Sequence, residues 1–173
     1  SETAQFLERA FDMSPHEAEA VAIKLEDTFR RFQLDAHPTY FAGLQEETIA
    51  SLINANKRAE LIQLAVDGLL SLIVAADKSN TILRRTTRER FLKLVALNMA
   101  ESTNFDECSL NNLATTFLKE DLFDVGVTEF LSPFFQSGLL FQSDKKVFFT
   151  HPYVRSYLLA SVLRENPEKA KAY

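Results

Sequence analysis

Leu139-Leu140-Phe141-Gln142, then Ser143-Asp144-Lys145-Lys146, then Val147-Phe148-Phe149-Thr150, and at once His151-Pro152: two short apolar runs stand about a polar turn and give way to a proline. Runs of this length and composition about a turn are the signature of a β-hairpin. Pro152 has no N–H to lose at a first helical position, so it opens an amphipathic helix carrying Val154, Tyr157, Leu158, Ala160 and Leu163, which Asn166-Pro167 ends. Upstream of the hairpin, one helix is predicted from Val127 to about Gln136, stopping at Ser137-Gly138, and another over Leu110 to Lys119. Before the loop Ser102-Thr103-Asn104, Thr86-Thr87-Arg88-Glu89 reads as a capping box with Thr86 as cap, opening a helix through Phe91, Leu94, Val95 and Leu97 to about Ala100. Three helices, a hairpin and a helix make the order of a winged helix with an added C-terminal helix.

The first half reads as helix throughout. Ser14-Pro15-His16-Glu17 combines a capping serine, a proline at the first helical position and a capping-box acid. Val21, Leu25, Thr28, Phe29 and Phe32 then recur at three- and four-residue steps on one stripe, up to a stop before Ala36-His37-Pro38. A short helix is predicted over about Glu46 to Ala55. A third, from Asn56, carries Leu61, Leu64, Ala65, Leu69, Leu72 and Ile73 and ends near Asp77-Lys78-Ser79-Asn80. The expected fold class is mainly α: a helical bundle over residues 1–83, followed by a winged-helix domain with one small β-hairpin over residues 84–173.

Composition narrows the function. Only four glycines occur, at 43, 68, 126 and 138, and neither phosphate-binding glycine pattern can be drawn through them. A self-sufficient nucleotide-hydrolysing enzyme is therefore not expected, and no catalytic residue is assigned. One cysteine excludes a disulfide framework and points to a reducing, cytoplasmic setting. The longest apolar stretch, Leu61 to Ala76, is 16 residues and includes Gln63 and Asp67. A spanning helix needs about 20 apolar residues, so no membrane span is expected.

The formal net charge of −5 disfavours a general nucleic-acid binder, whose affinity rests on neutralising phosphates. The charge is uneven: residues 1–80 hold 7 Lys and Arg against 13 Asp and Glu, residues 81–173 hold 12 against 11. In a winged helix the third helix is the usual DNA reader, and Val125 to Ser137 contains no Lys or Arg. Lys145 and Lys146 at the hairpin tip are the only basic residues favouring such a role there.

Cys108, His16, His37 and His151 are scattered too widely for a zinc site. Cys108, beside Asp106 and Glu107, is expected to be an inert, partly buried thiol. Arg84, Arg85, Arg88 and Arg90 form the one dense basic cluster, suited to phosphate or an acidic surface, or else a solvated helix start paired with nearby acids. Phenylalanine is overused, with 15 copies and no tryptophan; Phe134-Phe135, Phe141 and Phe148-Phe149 suit core and inter-domain packing, part of it as a mating face.

The stretch Gly138-Leu139-Leu140, followed by Val147-Phe148-Phe149-Thr150-His151-Pro152-Tyr153-Val154-Arg155-Ser156-Tyr157-Leu158-Leu159-Ala160, resembles the end of the winged-helix domain in signal-transducing P-loop NTPases, the STAND class with NACHT and NB-ARC modules. There a strand delivers a histidine, within a Met-His-Asp motif, to the phosphates of bound ADP and so helps to hold the closed, inactive state. The resemblance assigns that place to His151, with Thr150 standing for Met, Pro152 for Asp, and Ser156 where NACHT proteins often have Glu. Ala36-His37-Pro38 resembles the family's Gly-x-Pro motif, whose proline packs on the adenine; Pro38 matches and Ala36 replaces the glycine.

On this resemblance the chain is a helical and winged-helix lid of a larger ATPase whose phosphate loop lies upstream. Its implied cofactor is ADP or ATP, bound by the parent protein. Its implied partners are the nucleotide-binding core domain and an effector or further copies in an assembly. His151 and Pro38 would contact nucleotide, with Arg85 or Arg88 supporting phosphate or the core. Two other readings stand beside it: a winged-helix DNA-binding module, and a helical protein-interaction scaffold.

Overall fold

In a computed structural model, which describes residues 1–34, 36, 41, 44–76 and 83–170, the chain is mainly helical with one small two-stranded antiparallel sheet. Its contacts divide it into two units, Ser1–Leu72 and Ile73–Tyr173.

The first unit begins with a helix that the sequence patterns did not announce, α1 (Glu2–Phe11), capped by the Ser1 hydroxyl, which accepts from the Ala4 N–H at 3.3 Å. Next, α2 (Pro15–Arg31) starts where its caps predict: the Ser14 hydroxyl accepts from the Glu17 N–H at 3.3 Å and Pro15 occupies the first turn. Its buried stripe is Ala18, Ala22, Leu25, Thr28 and Phe29, against which α1 places Ala4 and Leu7. The helix ends at Arg31, several residues before the proline. Gln33 turns left-handed at φ 56°, and the Leu34 N–H closes the turn onto the Phe29 carbonyl at 2.9 Å. Two side chains then tie α2 to the end of α3 (Glu46–Ile53): the Thr28 hydroxyl donates to the Ile53 carbonyl at 3.1 Å, and Arg31 Nη2 to the Ala55 carbonyl at 2.6 Å. The long apolar helix α4 (Arg58–Ala76) follows, with Leu61, Ala65 and Leu69 buried. Among the described residues no helix is long and apolar enough to cross a membrane.

In the second unit, α5 (Arg85–Glu101) corrects the expected capping box. The helix is already running at Arg85, so Thr86 lies inside its first turn, and Arg84 is the N-cap without a side-chain cap bond. α6 (Glu107–Glu120) starts three residues earlier than predicted. Asp106 caps it, its Oδ1 accepting from the Ser109 N–H at 2.8 Å and the Ser109 hydroxyl at 2.7 Å. α7 (Val127–Gln136) has its predicted bounds; the hairpin forms where expected but is displaced, β1 (Leu140–Ser143) lying one residue later and β2 (Lys146–Phe149) one residue earlier than the two apolar runs, so that Ser143 and Lys146 pair in the strands and the turn is two residues rather than four. Its register pairs Leu140 with Phe149 and Ser143 with Lys146. Asp144 and Lys145 turn it with φ of 50° and 65°, both left-handed, as a two-residue hairpin turn requires. α8 (Pro152–Glu165) and the short α9 (Pro167–Ala170) complete the chain's described part.

A third extended segment joins the sheet. Asp106 bridges Lys146 in antiparallel fashion, the Val147 N–H donates to the Phe105 carbonyl at 3.1 Å, and the Glu107 N–H to the Lys145 carbonyl at 3.0 Å. The helix–helix core carries a cluster of four rings, Phe91, Phe117, Phe130 and Phe134, with neighbouring centroids 4.8 to 5.8 Å apart. On the sheet, Leu140, Val147 and Phe149 face inward while Phe141 and Phe148 face solvent.

Candidate functional site

The site that the sequence singled out most strongly is the corner between β2 and α8. Gly138 leaves α7 at φ +70°, a left-handed conformation that a Cβ would strain, and this sends Leu139 back toward the hairpin. Thr150 closes the corner: its N–H donates to the Leu139 carbonyl at 3.0 Å and its hydroxyl donates to the Gly138 carbonyl. His151 is thereby fixed as the N-cap of α8, with extended backbone at φ −116° and ψ 107°. Its imidazole is half-buried and stacks on the Tyr153 ring at a centroid distance of 5.7 Å. A ring held at the N-terminus of a helix stands where the helix dipole favours an anion, and an imidazole can itself donate to one.

The basic cluster is not a uniform solvated surface. Arg85 is exposed, whereas Arg88 is fully buried, its Nε donating to the Leu83 carbonyl at 3.4 Å and its guanidinium lying 5.9 Å from the centre of the Phe134 ring. Arg88 is therefore a core residue of the second unit. Its register with Phe91, Leu92 and Val95 on the inner face of α5 was the available signal. Arg90 pairs with Asp121 and lies over the Phe117 ring at 4.9 Å.

Arg85 and Arg88 are not brought to the histidine. α8 runs alongside α5 in the opposite direction, with Arg155 Nη2 on the Met99 carbonyl at 3.3 Å and Glu165 on Lys93 at 2.8 Å. His151 therefore lies toward the C-terminal end of α5, and at 1.5 Å per residue Arg88 lies roughly 16 Å and Arg85 roughly 21 Å back from Met99 along that helix. Pro38, like His37, lies outside the described residues.

Two further expectations meet the geometry. Cys108 is exposed in the first turn of α6 rather than partly buried, its sulfur accepting from Asn112 Nδ2 at 3.7 Å, because the helix starts early and turns this position outward. α7 buries Phe130, Leu131, Pro133 and Phe134, and the only charge on its outer side is Glu129. Nothing on that surface suits a phosphate backbone.

Comparison with family models, with curated proteins and with solved structures yields no match.

Proposed function

We propose that this chain is the helical and winged-helix regulatory segment of a signal-transducing P-loop NTPase of the STAND class: a non-catalytic lid that closes on ADP and swings away when ATP and an effector favour assembly. The reading is carried by the three-segment pairing in which Phe105-Asp106, lying between α5 and α6, adds to β2. A helix, a short strand, two helices, a hairpin and a helix is the winged-helix order, and His151 lies at the corner where the resembling family delivers its phosphate-sensing histidine.

The division of labour follows. The parent protein's core, with its phosphate loop, binds and hydrolyses nucleotide in the cytoplasm. The lid contributes His151 and Pro38 to the closed state, and Arg85, exposed at the surface, supports the core domain. Arg88, being buried, supports the fold rather than a phosphate. A switch of this kind works only if ADP and ATP bind the closed and open states with different affinities. In calorimetry the 173-residue chain alone is expected to bind ATP negligibly and to hydrolyse none; micromolar binding overturns the proposal. Joined to the nucleotide-binding core, His151→Ala is expected to speed ADP release, and unchanged release removes the assigned role.

A DNA-reading winged helix is the weaker alternative, since α7 carries no cation and its one charge is Glu129. It predicts a salt-dependent DNA shift that Lys145→Ala with Lys146→Ala abolishes. The interaction-scaffold reading draws on the exposed, stacked pair Phe141 and Phe148, and predicts partner binding indifferent to nucleotide.

A further inference from the structure

Beside the hairpin lies a cleft of about 280 Å³ between β2, the loop after α5 and the first turn of α8. Its floor is apolar, with Phe105, Val147 and Phe149 all buried. Among the described residues the charged side chains lining it are Lys146 and Arg155, accompanied by the hydroxyls of Ser102 and Thr103. Among the described residues neither cation is paired with a carboxylate. Arg155 spends one nitrogen on the Met99 carbonyl, and Asp106, opposite Lys146 in the bridge, commits Oδ1 to Ser109 and does not line the cleft. The first turn of α8, which reaches the cleft through Pro152, carries no acidic residue, so its dipole adds to the positive potential.

The rim adds a second feature. Phe148 lines the cleft, and its ring stacks on that of Phe141 across the hairpin at 5.2 Å and 23°; the two are 39% and 44% exposed. Cations in a recess beside a flat apolar platform are complementary to a carboxylate adjacent to an apolar side chain. The volume falls just short of the roughly 300 to 1,000 Å³ of small-molecule sites, which suits one side chain of a larger partner better than a cofactor.

We propose that this cleft and its rim receive an acidic segment of a partner protein, one carboxylate entering between Lys146 and Arg155 while a neighbouring apolar side chain covers Phe148 and Phe141. This surface is separate from the His151 ring and does not depend on the parent protein being an NTPase.

The test is a titration of the isotope-labelled chain with the acetylated and amidated peptide Ser-Glu-Phe-Glu-Ser, followed by amide chemical shifts. Saturable shifts are expected over residues 102–105 and 146–149, weakening as salt is added. Lys146→Glu is expected to weaken binding by about tenfold, Lys146→Gln by less, and Phe148→Ala several-fold, as loss of a charge pair and of platform area requires. Lys146 is exposed on a strand, so its variants keep the fold, and their unperturbed amide spectra verify this. Equal binding of a peptide with Lys in place of Glu, shifts centred elsewhere, or no saturation overturns the proposal. So does inorganic phosphate or benzoate binding as tightly as the peptide, which makes the cleft a small-anion site. A Lys146-dependent dimer in sedimentation also overturns it, by making a second copy the occupant.

Discussion

Lys93 on α5 donates to Glu165 at the end of α8 at 2.8 Å while Glu89, one turn back on its own helix, approaches it at 3.3 Å. A single ammonium thus joins two helices through residues 72 apart in the chain. Partial burial works to lower the pKa of this lysine, and the hydrogen bonds and charges of Glu165 and Glu89 outweigh it, leaving the pKa raised.

The alkaline limb of stability follows from that arrangement. Because folding raises the pKa, the stabilisation is complete below the value of an unfolded lysine, near 10.5, and is lost as pH climbs through the higher folded value. Lys93→Met keeps the apolar stem and removes the charge; it is expected to cost about 1 kcal/mol at neutral pH and to flatten the fall in stability above that range. Urea unfolding across pH 8 to 11, taken as about the accessible window, measures both. An unaltered alkaline slope in the variant contradicts the assignment.

Asp106 governs the acid limb. The Ser109 hydroxyl and then the Ser109 N–H hold its carboxyl below the ordinary carboxylate value. Its contribution is present above the unfolded pKa, near 3.8, and disappears as pH falls through the lower folded value. Asp106→Ala is expected to lower the melting temperature at pH 7 and to lose part of the wild type's acid sensitivity. A variant as stable as wild type at pH 7 contradicts this cap role.

Arg85 and Arg88 differ by one turn of helix and by burial. Arg88→Ala leaves a void beside Phe134 and the Leu83 carbonyl without its donor, and is expected to cost about 2 to 4 kcal/mol. Arg85→Ala, at an exposed position, is expected to stay within about 0.5 kcal/mol of wild type. Equal costs in urea titrations contradict the placement.

Leu122 ends α6 in a left-handed conformation, φ 57°, and is 91% exposed. The Phe123 N–H reaches the Leu118 carbonyl at 2.9 Å, so this is a position where asparagine is at less strain than leucine. Leu122→Asn is expected to stabilise the chain by about 0.5 kcal/mol, read as a higher urea midpoint; a lower one counts against backbone strain here.

What could be read in advance was the local chemistry. Ser14-Pro15-Glu17 specifies a helix start within four residues, and Gly138 with the two apolar runs specifies a hairpin. The Thr86 box failed because a cap signal is only a competition among neighbouring starts, and Arg85 had already entered the helix. α1 escaped notice because Ser1 caps it without the second half of a capping box: Ala4 stands where the acid would be. Phe105-Asp106 pairs through a bridge too short to display any alternation, and Arg88 was read by its charge when its helical phase placed it among Phe91 and Val95. As for the candidate site, the strand-to-helix corner at His151 was legible from Phe149-Thr150-His151-Pro152. The cleft flanked by Lys146 and Arg155 was not, since those residues meet only after Ser102 and Thr103 are brought beside them.

The bridge from Asp106 to Lys146 joins positions forty apart in the chain. The hairpin proper can zip locally within microseconds, of order 1 to 10 μs, but closing the larger loop carries an entropic toll that only the intervening helices, once docked, can offset. The hairpin is therefore expected to acquire its third segment late in folding. Phe141 and Phe148 would spend that interval on a bare two-stranded ribbon, which is the species most prone to self-association during refolding.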